Sequence, residues 1–293
     1  MTLVSNLING ISLGSVYAII ALGYTMVYGI AKMLNFAHGD VIMVGAYTCF
    51  CAVNYLSLPP IVSVIAAMVV CTLLGVIVEV LAYRPLRKAS SLAVLITAIG
   101  VSYFLQNAAL LIWGSAPKTF GSIVPFGSVS LFGGSLIITG ESIVTVAVCV
   151  VIMLGLTVFT KKSRTGKAMR AVSEDKEAAQ LMGINVNKTI AVTFAVGSAL
   201  AAVAGVLLCS AYPALTPTTG SMPGIKAFTA AVFGGIGSVP GAMIGGILLG
   251  IIEIFSKSYI SSELSDAIVF GVLIVVLLVK PTGLLGKKIT EKV

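Results

Sequence analysis

Residues that could do acid–base or ligand chemistry are scarce in this chain. The only histidine, His38, stands in LNFAHGD between Asn35 and Asp40. Histidine and carboxylate could relay protons, and the Asn35 amide could hydrogen-bond a carboxylate or an amine. The alternative is a polar turn in which Asp40 caps the next helix. The arrangement of the spans described below would place this turn near the membrane surface. We predict that these three residues contribute to a pathway or a gate.

A second group of polar residues lies in SRTGKAMRAVSEDKEAAQLMGI at 163–184. Ten charged residues of both signs fall within 161–188. A loop that only anchors helix ends to phospholipid needs basic residues alone. Ser173 can cap a helix, acidic residues follow in its first turn, and Gly183 suits a left-handed C-terminal position. The pattern predicts a short helix over Glu174–Met182.

The predicted helix has two unlike faces, because Ala178, Leu181 and Met182 form an apolar patch beside charged neighbours. At about 1.5 Å per residue it is too short to cross a bilayer. Docking into a groove on another protein is the favoured role, and a solvated or lipid-interfacial helix is the alternative. The residues assigned to this docking helix are Glu174, Asp175, Lys176, Glu177, Ala178, Ala179, Leu181, Met182 and Gly183.

Sets of residues typical of enzymes or metal sites are not apparent. The chain has no carboxylate pair, no Ser-His-Asp set and no metal-spaced Cys and His group. The five cysteines lie in apolar runs without a C-x-x-C, so we interpret them as small apolar side chains. We therefore predict that the chain is not an enzyme, has no catalytic residues and binds no metal or cofactor.

The elements that position these residues are membrane helices. Hydrophobic residues make up 58% of the chain and charged residues 10%, with a mean hydropathy of +1.10. An ordinary soluble domain has about 25% charged residues. The net charge of +8 does not indicate nucleic-acid binding, because the basic residues cluster in three loops, at 84–88, 161–170 and 280–292. Such clusters are typical of cytoplasmic loops.

Apolar runs predict an all-α polytopic membrane protein with about eight transmembrane segments. The predicted spans are 7–31, 41–57, 61–83, 91–113, 137–160, 189–212, 226–257 and 265–280. The basic loops then place the amino terminus outside and the end of the last span inside.

The seventh stretch, 226–257, is predicted to be a broken or re-entrant helix pair, because FGGIGSVPG interrupts it. Broken helices at membrane depth often build transporter sites, and a plain turn between two short spans is the alternative. Further possible pathway or gate residues are Gly234, Gly235, Gly237 and Pro240.

Small residues also recur at four-residue spacing, which predicts close helix packing. These residues are Gly10 with Gly14, Gly197 with Ala201 and Gly205, Gly241 with Gly245, and Gly246 with Gly250.

Two acidic residues within the spans have simple structural explanations. Glu253 and Lys257 are four residues apart, so they are expected to pair on one helix face. Glu79 lies a turn before Arg84, near the inner end of its span, and is expected to extend toward the lipid headgroups.

Three stretches together resemble a known family. E-A-A with three residues before a glycine, at Glu177–Gly183, is similar to the cytoplasmic motif of ABC importer permeases, although the I-x-L-P of the broad motif is absent. The stretches GYTMVYGIAKMLNFAHGDVIMVGAY, GKAMRAVSEDKEAAQLMGI and AFTAAVFGGIGSVPGAMIGGILLGIIE resemble the shorter permease of the high-affinity importers for leucine, isoleucine and valine. The resemblance covers nearly the whole chain.

The resemblance implies one transmembrane permease domain over 1–293, with a cytoplasmic coupling loop at 161–188, in the bacterial cytoplasmic (inner) membrane. It implies as partners a second homologous permease, two cytoplasmic ATPases and an extracytoplasmic amino-acid-binding protein, besides membrane lipid. No G-x-x-x-x-G-K-[ST] occurs in the chain, so ATP would be used by the partner subunits.

Three alternatives remain open at this point. Permeases with similar membrane motifs serve importers of urea, amides or other amino acids. An ion-coupled secondary transporter acting alone would need an intramembrane carboxylate or a sodium site. A structural membrane scaffold accounts poorly for the broken seventh stretch and the mixed-charge helix.

Overall fold

The computed structural model describes residues 2–87, 89–131 and 136–286, and the protein is mainly helical. Its helices are α1 Thr2–Ala31, α2 His38–Asn54, α3 Pro60–Val78 with a π-helical turn at Glu79–Tyr83, α4 Ser91–Trp113, α5 Gly140–Lys162, α6 Arg164–Glu174, α7 Lys176–Leu181, α8 Val186–Ala211, α9 Ser221–Gly234, α10 Val239–Tyr259 and α11 Ser265–Val279. The four short strands are β1 Lys118–Thr119, β2 Val129–Leu131, β3 Leu136–Ile138 and β4 Ala214–Leu215. The strands pair antiparallel, β1 with β4 and β2 with β3.

The predicted class, an all-α membrane protein with about eight segments, is confirmed. Within the described residues, α1, α3 with its π-turn, α4, α5, α8 and α10 are long and apolar enough to cross a membrane, and α11 is a shorter apolar helix. Polar side chains begin several of them; Ser90, for example, accepts a hydrogen bond from the Ala93 amide at the start of α4. Of the predicted cytoplasmic basic loops, Lys88 and residues 287–292 lie outside the described residues.

The most apolar helices are not the most buried. The membrane-spanning part of α1 is almost wholly enclosed by other helices, whereas α4 and α5 expose most of theirs. Because no water solvates a bilayer core, exposed Leu, Val and Ile side chains there face lipid at no cost. The central position of α1 comes from packing, and α5, α8, α9 and α10 all contact it.

Glycines bring α1 and α10 into backbone contact, as the four-residue spacing predicted. A Cβ added at Gly14 would lie 2.6 Å from the Cα of Ile247, and one at Gly250 would lie 2.2 Å from the Gly14 nitrogen. The two helices run antiparallel, since Gly10 meets Ile251 and Ala18 meets Gly246. No other residue type fits these positions without moving a helix.

The predicted break in the seventh stretch is confirmed as a turn at 235–238 between α9 and α10. Gly235 and Gly237 have φ values of 106° and 92°, which favour glycine. A Cβ on Gly29, in the last turn of α1, would lie 3.3 Å from Gly237. The turn is therefore level with the C-terminal end of α1.

Ion pairs hold two acidic side chains inside the bundle. Glu253 pairs with Lys257 as predicted, and it also accepts from Lys226 and the Tyr17 hydroxyl, both at 2.8 Å. Glu79 is fully buried and pairs with Arg84 at 2.9 Å and with Arg87. The prediction that Glu79 extends toward headgroups is wrong, because the two guanidinium groups fold back to it.

The glycine contact predicts a strong position dependence of glycine-to-alanine changes. We expect Gly14→Ala to lower the free energy of unfolding by about 1–3 kcal/mol, because backbone atoms that cannot move aside stand where the methyl group would go. Thermal unfolding of the purified protein in detergent measures the change.

The matched control is Gly155→Ala on α5, where nothing lies within 4 Å of an added Cβ. Alanine favours a helix over glycine by about 1 kcal/mol, so this variant should be as stable as the parent or more so. Equal losses at the two positions would contradict the proposed α1–α10 contact.

Candidate functional site

The segment between α1 and α2 folds back into the bundle. α1 ends at Ala31, and Lys32 reverses the chain with a φ of 57°. The ring of His38, at the start of α2, packs on Tyr24 with centroids 4.6 Å apart, and a Cβ on Gly23 would lie 2.5 Å from His38 Nε2. Gly23 is eight residues before the end of α1, about 12 Å along its axis.

The residues of this turn are therefore enclosed by other helices. Asn35, His38 and Asp40 are all buried within the bundle. Packing of the 32–37 segment against α1 and α9, rather than the polarity of its residues, carries it inward. The spacing of polar and apolar residues along the sequence does not indicate that this segment is buried.

The three predicted residues have different partners. Asn35 accepts a hydrogen bond from the Tyr83 hydroxyl at 2.9 Å. His38 Nε2 has no hydrogen-bond partner among the described residues. Asp40 accepts from the amide of Gln106 at 2.9 Å. The N-cap of α2 is Ala37, without a side-chain hydrogen bond, so the alternative in which Asp40 caps α2 is wrong.

Two residues that the sequence analysis missed complete a polar cluster around Asp40. Gln106 Nε2, on α4, lies 3.3 Å from Ser221 Oγ at the start of α9 and 3.2 Å from Ser102 Oγ. The backbones meet here as well, since a Cβ on Gly220 would lie 1.8 Å from the Gly39 carbonyl oxygen. The available signal was the pair of adjacent amides, Gln106 and Asn107, inside the mainly apolar span 91–113.

The predicted glycine and proline positions lie elsewhere. Gly234, Gly235, Gly237 and Pro240 form the α9–α10 turn, which the chain after α11 covers through a Leu285 amide bond to the Gly234 carbonyl at 2.9 Å. They do not touch Asp40.

A small cleft connects the two regions. It has room for about one water molecule, and its lining, which includes Tyr24, Phe228 and Ile236 of the turn, is apolar where it is exposed. Phe228 packs against both Tyr24 and Phe36, with ring centroids 5.7 and 5.6 Å apart.

The loop between α5 and α8 contains two helices, α6 and α7, where the sequence predicted one. The predicted helix Glu174–Met182 is wrong at its start, because the chain breaks at Asp175. Asp175 Oδ1 caps α7 by accepting from the amides of Glu177 and Ala178 at 2.8 and 2.9 Å. Ser173, the predicted cap, instead donates to the Arg170 carbonyl. A carboxylate competes better than a hydroxyl for two amides.

The end of α7 agrees with the sequence prediction. Gly183 has a φ of 81°, and the Ile184 amide bonds the Ala179 carbonyl across it. Leu181 and Met182 are 89% and 82% exposed, whereas Ala179 is buried against the protein. The unit therefore presents two large apolar side chains at its tip.

One side chain ties this unit to the membrane helices. Lys176 Nζ donates to the Ala31 carbonyl, the last residue of α1, at 2.9 Å. Burial, together with the positive charges of Arg87 and Lys32, lowers the pKa of Lys176 below its usual value. A lysine at a helix C-terminus also meets the negative end of the helix dipole.

Comparison with known proteins agrees with this architecture. Residues 6–277 match the family model described as "Branched-chain amino acid transport system / permease component". The chain is 47% identical to the high-affinity branched-chain amino acid transport system permease protein BraD of Pseudomonas aeruginosa, over 98% of this chain and 97% of that protein. It is also 47% identical to LivH of Escherichia coli, over 97% and 96%, and 30% identical to a probable LivH of Methanocaldococcus jannaschii, over 92% and 88%.

The chain is therefore a multi-pass membrane protein that belongs to the family of branched-chain amino acid transport system permease components.

Proposed function

We propose that this chain is a permease subunit of an ATP-binding-cassette importer in the bacterial cytoplasmic membrane, and that it translocates branched-chain amino acids. The observation that carries the proposal is its 47% identity over nearly the full length to two permeases named for that substrate. The proposed partners are a second, homologous permease, two cytoplasmic ATPases that bind and hydrolyse ATP, and an extracytoplasmic binding protein that delivers the amino acid.

The geometry of α6 and α7 supports ATPase docking. The exposed Leu181 and Met182 at the cytoplasmic tip can fill a groove, and the exposed acidic residues Glu174 and Glu177 can set the orientation. Ala179 and Lys176 attach the opposite side to the permease. A docking helix needs both faces, one for the partner and one for its own protein.

Movement of the docked helix would reach the membrane through α1. Lys176 holds the α1 C-terminus, and the next residues, 32–37, lead directly to the buried start of α2. A rigid-body shift of α7 therefore pulls on the segment that carries Asn35, His38 and Asp40. Such a contact lets ATP-driven closure of the partner subunits bias an inward- or outward-facing state.

The proposed pathway suits an aliphatic substrate. The side chains around the small cleft beside Tyr24 and Phe228 are mostly apolar, so a path that widened here would bind a leucine side chain weakly and release it. We propose that Asn35, His38 and Asp40 lie along this path, with the turn residues Gly234, Gly235, Gly237 and Pro240 at its inner end as part of a gate. Selectivity would come mainly from the delivery protein.

The docking assignment is tested with the double variant Leu181→Glu/Met182→Glu. We expect ATPase subunits to be lost from the tagged, detergent-purified assembly, because charges would replace the two apolar side chains at the interface. Immunoblotting for the ATPases measures this, and an unchanged melting temperature of the permease confirms that it is folded.

The matched control is Leu56→Glu, an exposed leucine at the opposite end of the bundle. It should keep its ATPases. Full ATPase recovery with the double variant would contradict the docking assignment.

The role of Lys176 is tested by Lys176→Gln, with Lys188→Gln as the control on an exposed lysine of the same loop. We expect Lys176→Gln to keep its ATPases but to take up roughly tenfold less amino acid per ATP, because a charged hydrogen bond to α1 is lost. Uptake and hydrolysis are measured together in proteoliposomes. Wild-type uptake per ATP in this variant would show that Lys176 does not transmit the movement.

The energy source and substrate class are tested with the complete importer in proteoliposomes. We expect radiolabelled leucine to accumulate with ATP and no ion gradient, and isoleucine and valine to compete. Uptake driven by an ion gradient without ATP would instead identify a secondary transporter. Competition by urea or short amides alone would identify a related importer.

A further inference from the structure

The three buried carboxylates in the described part of the chain differ in whether a positively charged side chain pairs with them. Glu79 is held by two arginines, and Glu253 by two lysines. Asp40 is 1% exposed, and no Lys, Arg or His side chain of the described residues forms an ion pair with it. An unpaired carboxylate within a membrane bundle is costly, so its presence indicates a function.

The groups that do contact Asp40 orient it without neutralising it. Gln106 gives one amide hydrogen bond to Oδ1, and the same amide nitrogen lies within reach of Ser102 and Ser221. All of these partners are uncharged. The cluster therefore holds the Asp40 carboxylate in a fixed orientation, and no side chain of the described residues provides it with a positive charge.

The neutral residues of the cluster reach the protein surface and have apolar neighbours, whereas Asp40 itself is buried behind them. Gln106, Ser102 and Ser221 are partly exposed, so the cluster borders the surface between α4 and α9. Next to Ser221 on α9, Met222 and Ile225 are each 43% exposed. A ligand with an ammonium group and an aliphatic side chain fits this combination.

We propose that Asp40, positioned by Gln106 and Ser221, binds the α-ammonium group of the amino acid as it crosses the membrane, with its aliphatic side chain against Met222 and Ile225. The proposal rests on the proposed function and names the substrate contact within it. Because one carboxylate with neutral helpers binds an ammonium less tightly than a closed site, the amino acid can leave again.

The test uses the complete importer in proteoliposomes, with leucine uptake and binding-protein-stimulated ATP hydrolysis measured side by side. Asp40→Asn keeps the shape and removes the charge, so we expect leucine uptake per ATP hydrolysed to fall by roughly tenfold or more. Gln106→Ala should reduce uptake by a smaller factor. Asn107→Ala, a neighbouring α4 amide that bonds the Tyr103 carbonyl instead, should leave uptake unchanged.

A second measurement addresses the ammonium group directly. Leucine should raise the melting temperature of the purified assembly without binding protein, and 4-methylpentanoate, which has the same skeleton without the ammonium, should not. Asp40→Asn should abolish the leucine effect.

Several outcomes overturn the proposal. These are wild-type uptake in Asp40→Asn, parallel loss of uptake and hydrolysis, equal stabilisation by the two compounds, and no stabilisation by leucine. If Asp40→Asn does not assemble, Gln106→Ala decides, and uptake equal to that of Asn107→Ala overturns the proposal. If wild type takes up no leucine with ATP, the proposed function fails, and the comparison of the two compounds still decides the subsite.

Discussion

The backbone contact between α1 and α10 is the constraint on which the rest of the bundle depends. Glycines at 10, 14, 246 and 250 allow two helices to touch without intervening side chains. In a bilayer, where burial of apolar surface gives little driving force between helices, such close packing supplies much of the association. It fixes α1 at the centre, and the 32–37 segment and the α9–α10 turn take their positions from it.

The buried acidic side chains fall into two classes, those paired with basic side chains and one that has only neutral hydrogen-bond partners. Glu79 and Glu253 are held in closed ion-pair networks. Glu79 pairs with arginines close to it in sequence, whereas Glu253 connects α10 to α9 through Lys226 and to α1 through Tyr17. These networks lock helices together, because separating the partners would leave a bare charge in a medium of low dielectric constant. Asp40 differs, since its partners are neutral amides and hydroxyls. Because a bare charge is costly in a medium of low dielectric constant, this site favours the binding of a cation.

The unit formed by α6 and α7 is attached to the bundle through few contacts and exposes much of its surface. α6 and α7 carry the charged residues that the spans exclude, and Lys176 makes a direct bond to the end of α1. The unit is therefore placed to act as a lever, with its apolar tip outward and its fixed point at a helix terminus. The next six residues after that terminus reach the buried polar cluster, so the distance from lever to cluster is short along the chain.

The sequence by itself determined the membrane class, most span boundaries, the packing glycines, the break in the seventh stretch and the exposed apolar tip at Leu181 and Met182. These follow from local rules of apolar length, small-residue spacing and turn chemistry. It did not indicate that the Asn35–Asp40 turn is buried in the bundle, it predicted Ser173 instead of Asp175 as the cap of the short helix α7, and it missed Gln106, Ser221 and Lys226. Only the tertiary structure decided those points, because they depend on which distant helices meet: depth, pairing and competition between caps are properties of the packed bundle and leave no periodic trace along one chain.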